Sequence, residues 1–186
     1  MPFRFELKKA HHVLLFAIHS MGGVADLSRL FLLLYLADTK HLAKYGSLIT
    51  GDTYLAMKYG PVPFHILSIF KQLKEESTEH NEPPKSKACF SINDKQQVVA
   101  LTSYEKDYLS ESEVECLFEI LQQHKREELD LLCACTAGLA WRGADINGEI
   151  SIEDMAMESG ASTEMISYIK MSHTDEINSF SNAYQN

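Results

Sequence analysis

The sequence predicts a mainly α fold, a single compact helical domain carrying one small antiparallel β-hairpin. Three observations predict it. Most apolar residues recur at helical spacing, several of those segments open on N-capping side chains, and only one pair of short β-prone runs sits between turn formers. At 186 residues the chain can bury roughly 70% of its unfolded surface, so no disulfide or metal is needed to hold it. Apolar residues at 45% and charged residues at 23% exclude a disordered or low-complexity chain.

The elements follow in order. Residues 5–21 form a first helix with Leu7, Ala10, Leu14, Ala17 and Met21 as its stripe, and Gly22-Gly23 stops it. Asp26 is a good N-cap for a helix reaching about Lys44 and ending at Gly46. That helix is apolar on nearly every face around Leu30–Ala37, the mark of a central helix wrapped by its neighbours. The next segment stays open. Asp52 could cap a short helix over 53–59, or the alternation of Tyr54, Ala56 and Lys58 with Leu55, Met57 and Tyr59 could form a strand. Val62 precedes a proline and is pushed to an extended conformation. Pro63 suits the first turn of a helix to about Lys74, with Ile66, Ile69, Phe70 and Leu73 inward.

Residues 75–87 carry no apolar periodicity and read as a solvated loop. A hairpin is expected over 88–102, its runs Cys89–Ile92 and Gln97–Thr102 joined by Asn93-Asp94-Lys95-Gln96. Ser110 and Glu113 spell a capping box for a helix burying Val114, Leu117, Phe118 and Leu121. A further helix covers Glu127 to Ala137, and Gly138 interrupts the chain before the only tryptophan, Trp141. Asn147-Gly148 is a turn. Ser151 and Asp154 open a helix to Ser159, Gly160 closes it, and residues 163–171 place Met165, Ile166 and Ile169 on one face. The domain is expected to span residues 1–171, with 172–186 a polar, frayed tail.

Composition narrows the function. The longest apolar run, Leu30 to Ala37, is eight residues, against the ~20 of a membrane helix, and no secretory leader is visible. Cys89, Cys116, Cys133 and Cys135 lack disulfide spacing and read as buried free thiols, which suits a reduced cytoplasmic setting. The net charge of −9 is unevenly spread. Residues 1–74 hold nine Lys/Arg against four Asp/Glu, whereas residues 75–186 hold eight against 22. An acidic total disfavours dedication to nucleic acid, while the basic first part leaves room for an acidic partner.

No metal site or cofactor is expected. Cys133 and Cys135 are two apart and face opposite sides of a helix, and His124 falls outside any ligand spacing. Asp38 and His41 are three apart and could meet as an acid–base pair, but no nucleophile motif accompanies them, so a hydrogen-bonded structural Asp38 is the better reading. Residues 150–171 have the spacing of a helix–turn–helix. Yet Lys170 is the single cation against seven acids over residues 147–186, which would repel phosphate. Tyr54, Met57 and Tyr59, beside the stiff Gly60-Pro61-Val62-Pro63 corner, read either as a buried corner between helices or as a rigid platform for a protein partner.

A longer string is more specific. Leu33-Leu-Tyr-Leu-Ala-Asp38, Tyr45-Gly46 and Ile49-Thr-Gly-Asp-Thr-Tyr-Leu-Ala-Met-Lys-Tyr-Gly-Pro-Val-Pro63 resemble the Panacea domain of SocA-like (phage GepA-associated) antitoxins. The resemblance continues at Tyr108–Leu117, Ala140-Trp141 and Asn147–Met155, so it covers about residues 5–160. One departure shows: Cys135-Thr136 stands where the family usually has a Ser-His pair. The resemblance implies a mainly helical, non-enzymatic domain that neutralises a toxin encoded in the same operon by direct protein binding, with a homo-oligomer in the complex allowed. It carries Asp38, Asp52, Tyr54, Tyr59, Gly60, Pro61, Pro63 and Trp141 over as motif residues. With Tyr45 and Met57 they make up the expected partner-binding or fold-shaping set, and the basic first helix is a second contact candidate. The rival expectation is a DNA-binding autoregulator using residues 150–171.

Overall fold

Helix α1 (Leu7–Ser20) buries Ala10, Val13 to Ile18 and His11, as its apolar period requires, although Leu7 at its start is exposed. In the computed structural model, which describes residues 3–74 and 85–183, two glycines carry the chain from α1 into a two-residue strand, β1 (Val24–Ala25). Asp26 then caps α2 (Leu27–Tyr45) by accepting the Arg29 N–H at 3.0 Å, and Gly46 ends it in the left-handed conformation. Helix α2 is the central element. Its residues from Leu30 to Tyr35, with Ala37, Asp38, His41 and Leu42, are buried. It packs on α4 (Glu111–Gln123), α5 (Leu129–Thr136) and α7 (Ile152–Glu158).

Two hydrophobic clusters result, one on each side of α2. The larger joins α1 and α2 to Ile66, Phe70, Phe90, Val98, Leu117 and Leu121. The smaller joins Tyr35 and Leu42 to Tyr54, Ala56, Ala140, Ile150, Met155, Ala156 and Ile169. Burying a Leu or Ile side chain contributes about 1.5–3 kcal/mol, so a helix used on both faces ties the two halves together.

The open segment resolves as strand. β2 (Tyr54–Met57) and β3 (Gly60–Pro63) form a tight antiparallel hairpin in which Tyr54 faces Pro63 and Met57 faces Gly60. Residues 147–150 complete it, since Ala56 donates to Gly148 O and Ile150 to Tyr54 O, each at 2.8 Å. That distant backbone partner is why a strand wins over a helix here. Pro63 therefore ends β3 instead of opening a helix, and α3 (Phe64–Lys74) starts one residue later. The expected second hairpin is present as β4 (Phe90–Ile92) and β5 (Val98–Ala100), and β1 adds to β5 to make a three-stranded sheet.

Other expectations need correction. Residues 75–84 of the expected loop lie outside the described residues, and Lys85–Ala88 forms a 3-10 turn. Phe118 of α4 is 53% exposed instead of buried, because its position faces away from α2. A short helix, α6 (Leu139–Gly143), follows α5. Helix α8 (Thr163–Ala183) continues past residue 171 where a frayed tail is expected, and residues 184–186 of that tail lie outside the described residues.

Candidate functional site

Asp38 organises the region that the motif string spans. Its carboxylate is fully buried in α2, where Oδ1 accepts the Ile49 and Thr50 N–H groups at 2.5 and 3.1 Å. Its Oδ2 accepts the Thr50 hydroxyl at 2.5 Å and the Tyr54 hydroxyl at 2.7 Å. Burial pushes the carboxyl up, while the four hydrogen bonds pull the other way. Burial, with Asp38 beside it, also pushes the Tyr54 phenol far up, so Tyr54 stays a donor. His41 turns elsewhere: its Nδ1 bonds Ser47 O at 2.7 Å and its Nε2 bonds Ser112 Oγ at 3.1 Å. The imagined Asp38–His41 acid–base pair is therefore not assembled.

Asp52 is equally buried and caps α3 from outside that helix. Its two oxygens accept the His65 and Ile66 N–H groups, each at 2.9 Å, and His65 Nδ1 lies 2.8 Å from Oδ1. That supplies the orphan donors of a helix start that follows directly on Pro63. Gly60 is required where β3 crosses α2. Its φ is +126°, and a Cβ there would stand 2.6 Å from Leu32 Cδ2. Pro61 and Pro63 are buried in β3. Asp38, Asp52, Tyr54, Gly60, Pro61 and Pro63 thus form scaffold.

The remaining motif residues reach the surface at two places. Tyr45 lies beside α4, its hydroxyl 3.2 Å from Glu115 Oε2 and its ring against His41. Tyr59, 73% exposed, tops the β2–β3 turn. Beside that turn, Ala56, Met57, Trp141, Ala144 and Ile146 line a mostly apolar groove of about 500 Å³, with Lys58 and Arg142 at its rim. Trp141 is fixed by its indole N–H, which donates to Met57 O at 3.1 Å. Ile146 at 85% and Leu139 at 78% are the most exposed large apolar side chains among the described residues. Such side chains leave water only when a partner covers them. The sequence did not single out Leu139, Ala144 or Ile146. A single helical turn and the short segment after it carry too few residues for a period to tell an apolar residue facing solvent from one facing a core.

Residues 150–171 fold as two helices, and Glu164, Tyr168, Lys170 and Met171 on the second of them are exposed. α7 and α8 meet at the Gly160 turn and bury Met155, Ala156 and Ile169. Glu158 of α7 accepts the Ala140 N–H at 2.6 Å, and a Cβ on Gly138 would land 1.4 Å from Glu158 Oε1. Lys170, the cation of this segment, lies 3.7 Å from Glu153.

The cysteines depart from the expectation of buried thiols. Cys116 is buried and Cys89 and Cys133 half-buried, but Cys135 is exposed on the opposite side of α5 from Cys133, whose Sγ donates to Tyr59 O at 3.3 Å. His124 also has ligand company after all. A ligand atom from each of His124, Glu127 and Cys135 lies within 4.8 Å of the other two. Spacings of three and eight residues across a helix–turn–helix corner match no familiar motif, which is why the sequence concealed the group.

Among known proteins, a family model described as antitoxin SocA-like, Panacea domain, matches residues 30–141, more than half of the chain. No curated protein and no solved structure matches it.

Proposed function

Given that the chain belongs to the SocA-like antitoxin family with its Panacea domain, we propose that it is the antitoxin of a toxin–antitoxin pair and silences a protein toxin encoded in the same operon by binding it directly. The observation that carries the direct-binding reading is the apolar groove of Met57, Trp141 and Ile146 beside exposed Tyr59. Tyr, Trp and Met are favoured at the centre of protein interfaces, where burying them against a partner contributes most of the affinity. The buried motif residues act by holding this face: Asp38 and Asp52 fix the hairpin, and the hairpin carries Tyr59. Tyr45 and the basic α1 make a second, weaker contact region. The helical domain acts as one binding unit in the cytoplasm, without a catalytic step of its own.

Co-expression with the adjacent open reading frame tests the reading. That gene should arrest growth alone and become harmless beside this chain. A neighbour harmless alone, or still toxic in its presence, removes the antitoxin function. The Tyr59→Ala/Ile146→Ser double variant should fold normally and lose neutralisation, because both side chains are exposed and support no core. Light scattering of the purified pair distinguishes a one-to-one complex from one built on a homo-oligomer.

A further inference from the structure

We propose that His124, Glu127 and Cys135 form a zinc site at the corner between α4 and α5. His124 is the C-cap of α4 and is 5% exposed, with its Nδ1 2.6 Å from Glu127 Oε2. Cys135, in the last turn of α5, presents an exposed thiol to the same spot, and all three ligand atoms lie within 4.8 Å of one another. An imidazole nitrogen, a thiolate and a carboxylate oxygen are the donors zinc takes, whereas magnesium and calcium need all-oxygen shells.

The corner is held in place by a second layer. Arg29 of α2 donates Nη1–H to Glu127 O at 2.6 Å and Nη2–H to His124 O, so the backbones of two ligands are tied to the central helix. Thr136 Oγ1, next in chain to Cys135, donates to Leu132 O and Cys133 O and firms the end of α5. Outer contacts of this kind orient ligands and raise metal affinity. Tetrahedral zinc sets its ligand atoms about 3.5 Å apart. Rotation of the half-exposed Glu127 side chain opens its 2.6 Å contact with His124, and rotation of the exposed Cys135 side chain brings its sulfur to bonding distance. On binding, the thiol proton leaves to solvent and the metal-bound ring nitrogen offers its lone pair, with the ring proton on the other nitrogen. Uptake therefore tightens as pH rises. Three protein ligands leave a fourth position for water.

The test uses the full, tag-free, reduced chain freed of metal with a chelator. Zinc chloride is titrated against a chromophoric competitor, and cobalt(II) serves as a spectroscopic substitute. Wild type and Cys133→Ser should each take up one zinc per chain, and both should show a thiolate-to-cobalt charge-transfer band. Cys135→Ser should lose that band and, like Glu127→Gln, bind zinc at least about tenfold more weakly. Cys135 is exposed, so its serine variant keeps the fold, and circular dichroism checks it. No zinc uptake by wild type, or equal affinity in Cys135→Ser, overturns the site.

Discussion

Asp38 shows how much of this structure rests on single polar side chains. Its four donors are matched to one buried carboxylate, so removing the acceptor strands two backbone N–H groups and two hydroxyls in the core. Asp38→Ala should cost about 3–5 kcal/mol in chemical denaturation. Asp38→Asn should cost less, because the amide oxygen still accepts and the two hydroxyls can turn to the amide N–H. Tyr35 is the opposite case. Its hydroxyl is buried without a hydrogen-bond partner in the smaller cluster, and burial pushes the phenol up. Tyr35→Phe keeps the ring against Tyr54 and removes an unsatisfied group, so it should match or exceed wild-type stability. A large loss of melting temperature would contradict it. His11 supplies a pH prediction. Burial, reinforced by neighbouring His12, holds its imidazole below the ordinary value, so the fold prefers it neutral. The stability this gives is present above about pH 6.5 and is lost as pH falls through that range. A His11→Gln chain, which can keep the bond to Ser86, should lose less stability than wild type between about pH 7 and 5.

At the scale of elements, local rules act where the partner is close in sequence. Ser110 and Glu113 form a full capping box on α4, and Ser110→Ala should cost about 1 kcal/mol. Gly60→Ala should cost more than the Ser110 cap, because alanine is strained at a φ of +126° and its Cβ must displace the buried Leu32 side chain, and near-neutral behaviour would mean β3 sits differently. The same division explains what was legible. The helices α1, α2 and α4, with Gly22-Gly23, Asp26, Gly46 and the Ser110 box, were readable because period and punctuation lie within a few residues, whereas α3 takes its cap from Asp52 well upstream. The strand at Tyr54–Met57 was not, since Gly148 and Ile150 settle it from almost a hundred residues away. β1 was invisible for the same reason: two residues become a strand only when Val98 and Val99 arrive. Within the motif string, the sequence could not tell the buried acids Asp38 and Asp52 from the exposed Tyr59. The His124–Glu127–Cys135 group was hidden because its spacing becomes a site only once α4 and α5 meet.

For the whole molecule, the uneven charge has a kinetic consequence. The chain carries −9 overall, yet the apolar groove is rimmed by Lys58 and Arg142, both exposed. Cations around an apolar patch on an acidic protein steer a partner carrying carboxylates and turn it toward that patch, while the remaining surface repels it. Such steering acts on the encounter more than on the finished contact. Reversing both charges in a Lys58→Glu/Arg142→Glu chain should therefore slow association with the toxin about tenfold at low salt and leave the dissociation rate within about twofold. The difference from wild type should shrink as salt is raised past about 0.15 M, where the screening length falls to roughly 8 Å. Neither side chain supports the core, so the melting temperature should stay near wild type. Stopped-flow or surface-binding kinetics across a salt series checks the prediction. If the reversed chain associates at the wild-type rate in low salt while remaining folded, the toxin does not approach this face.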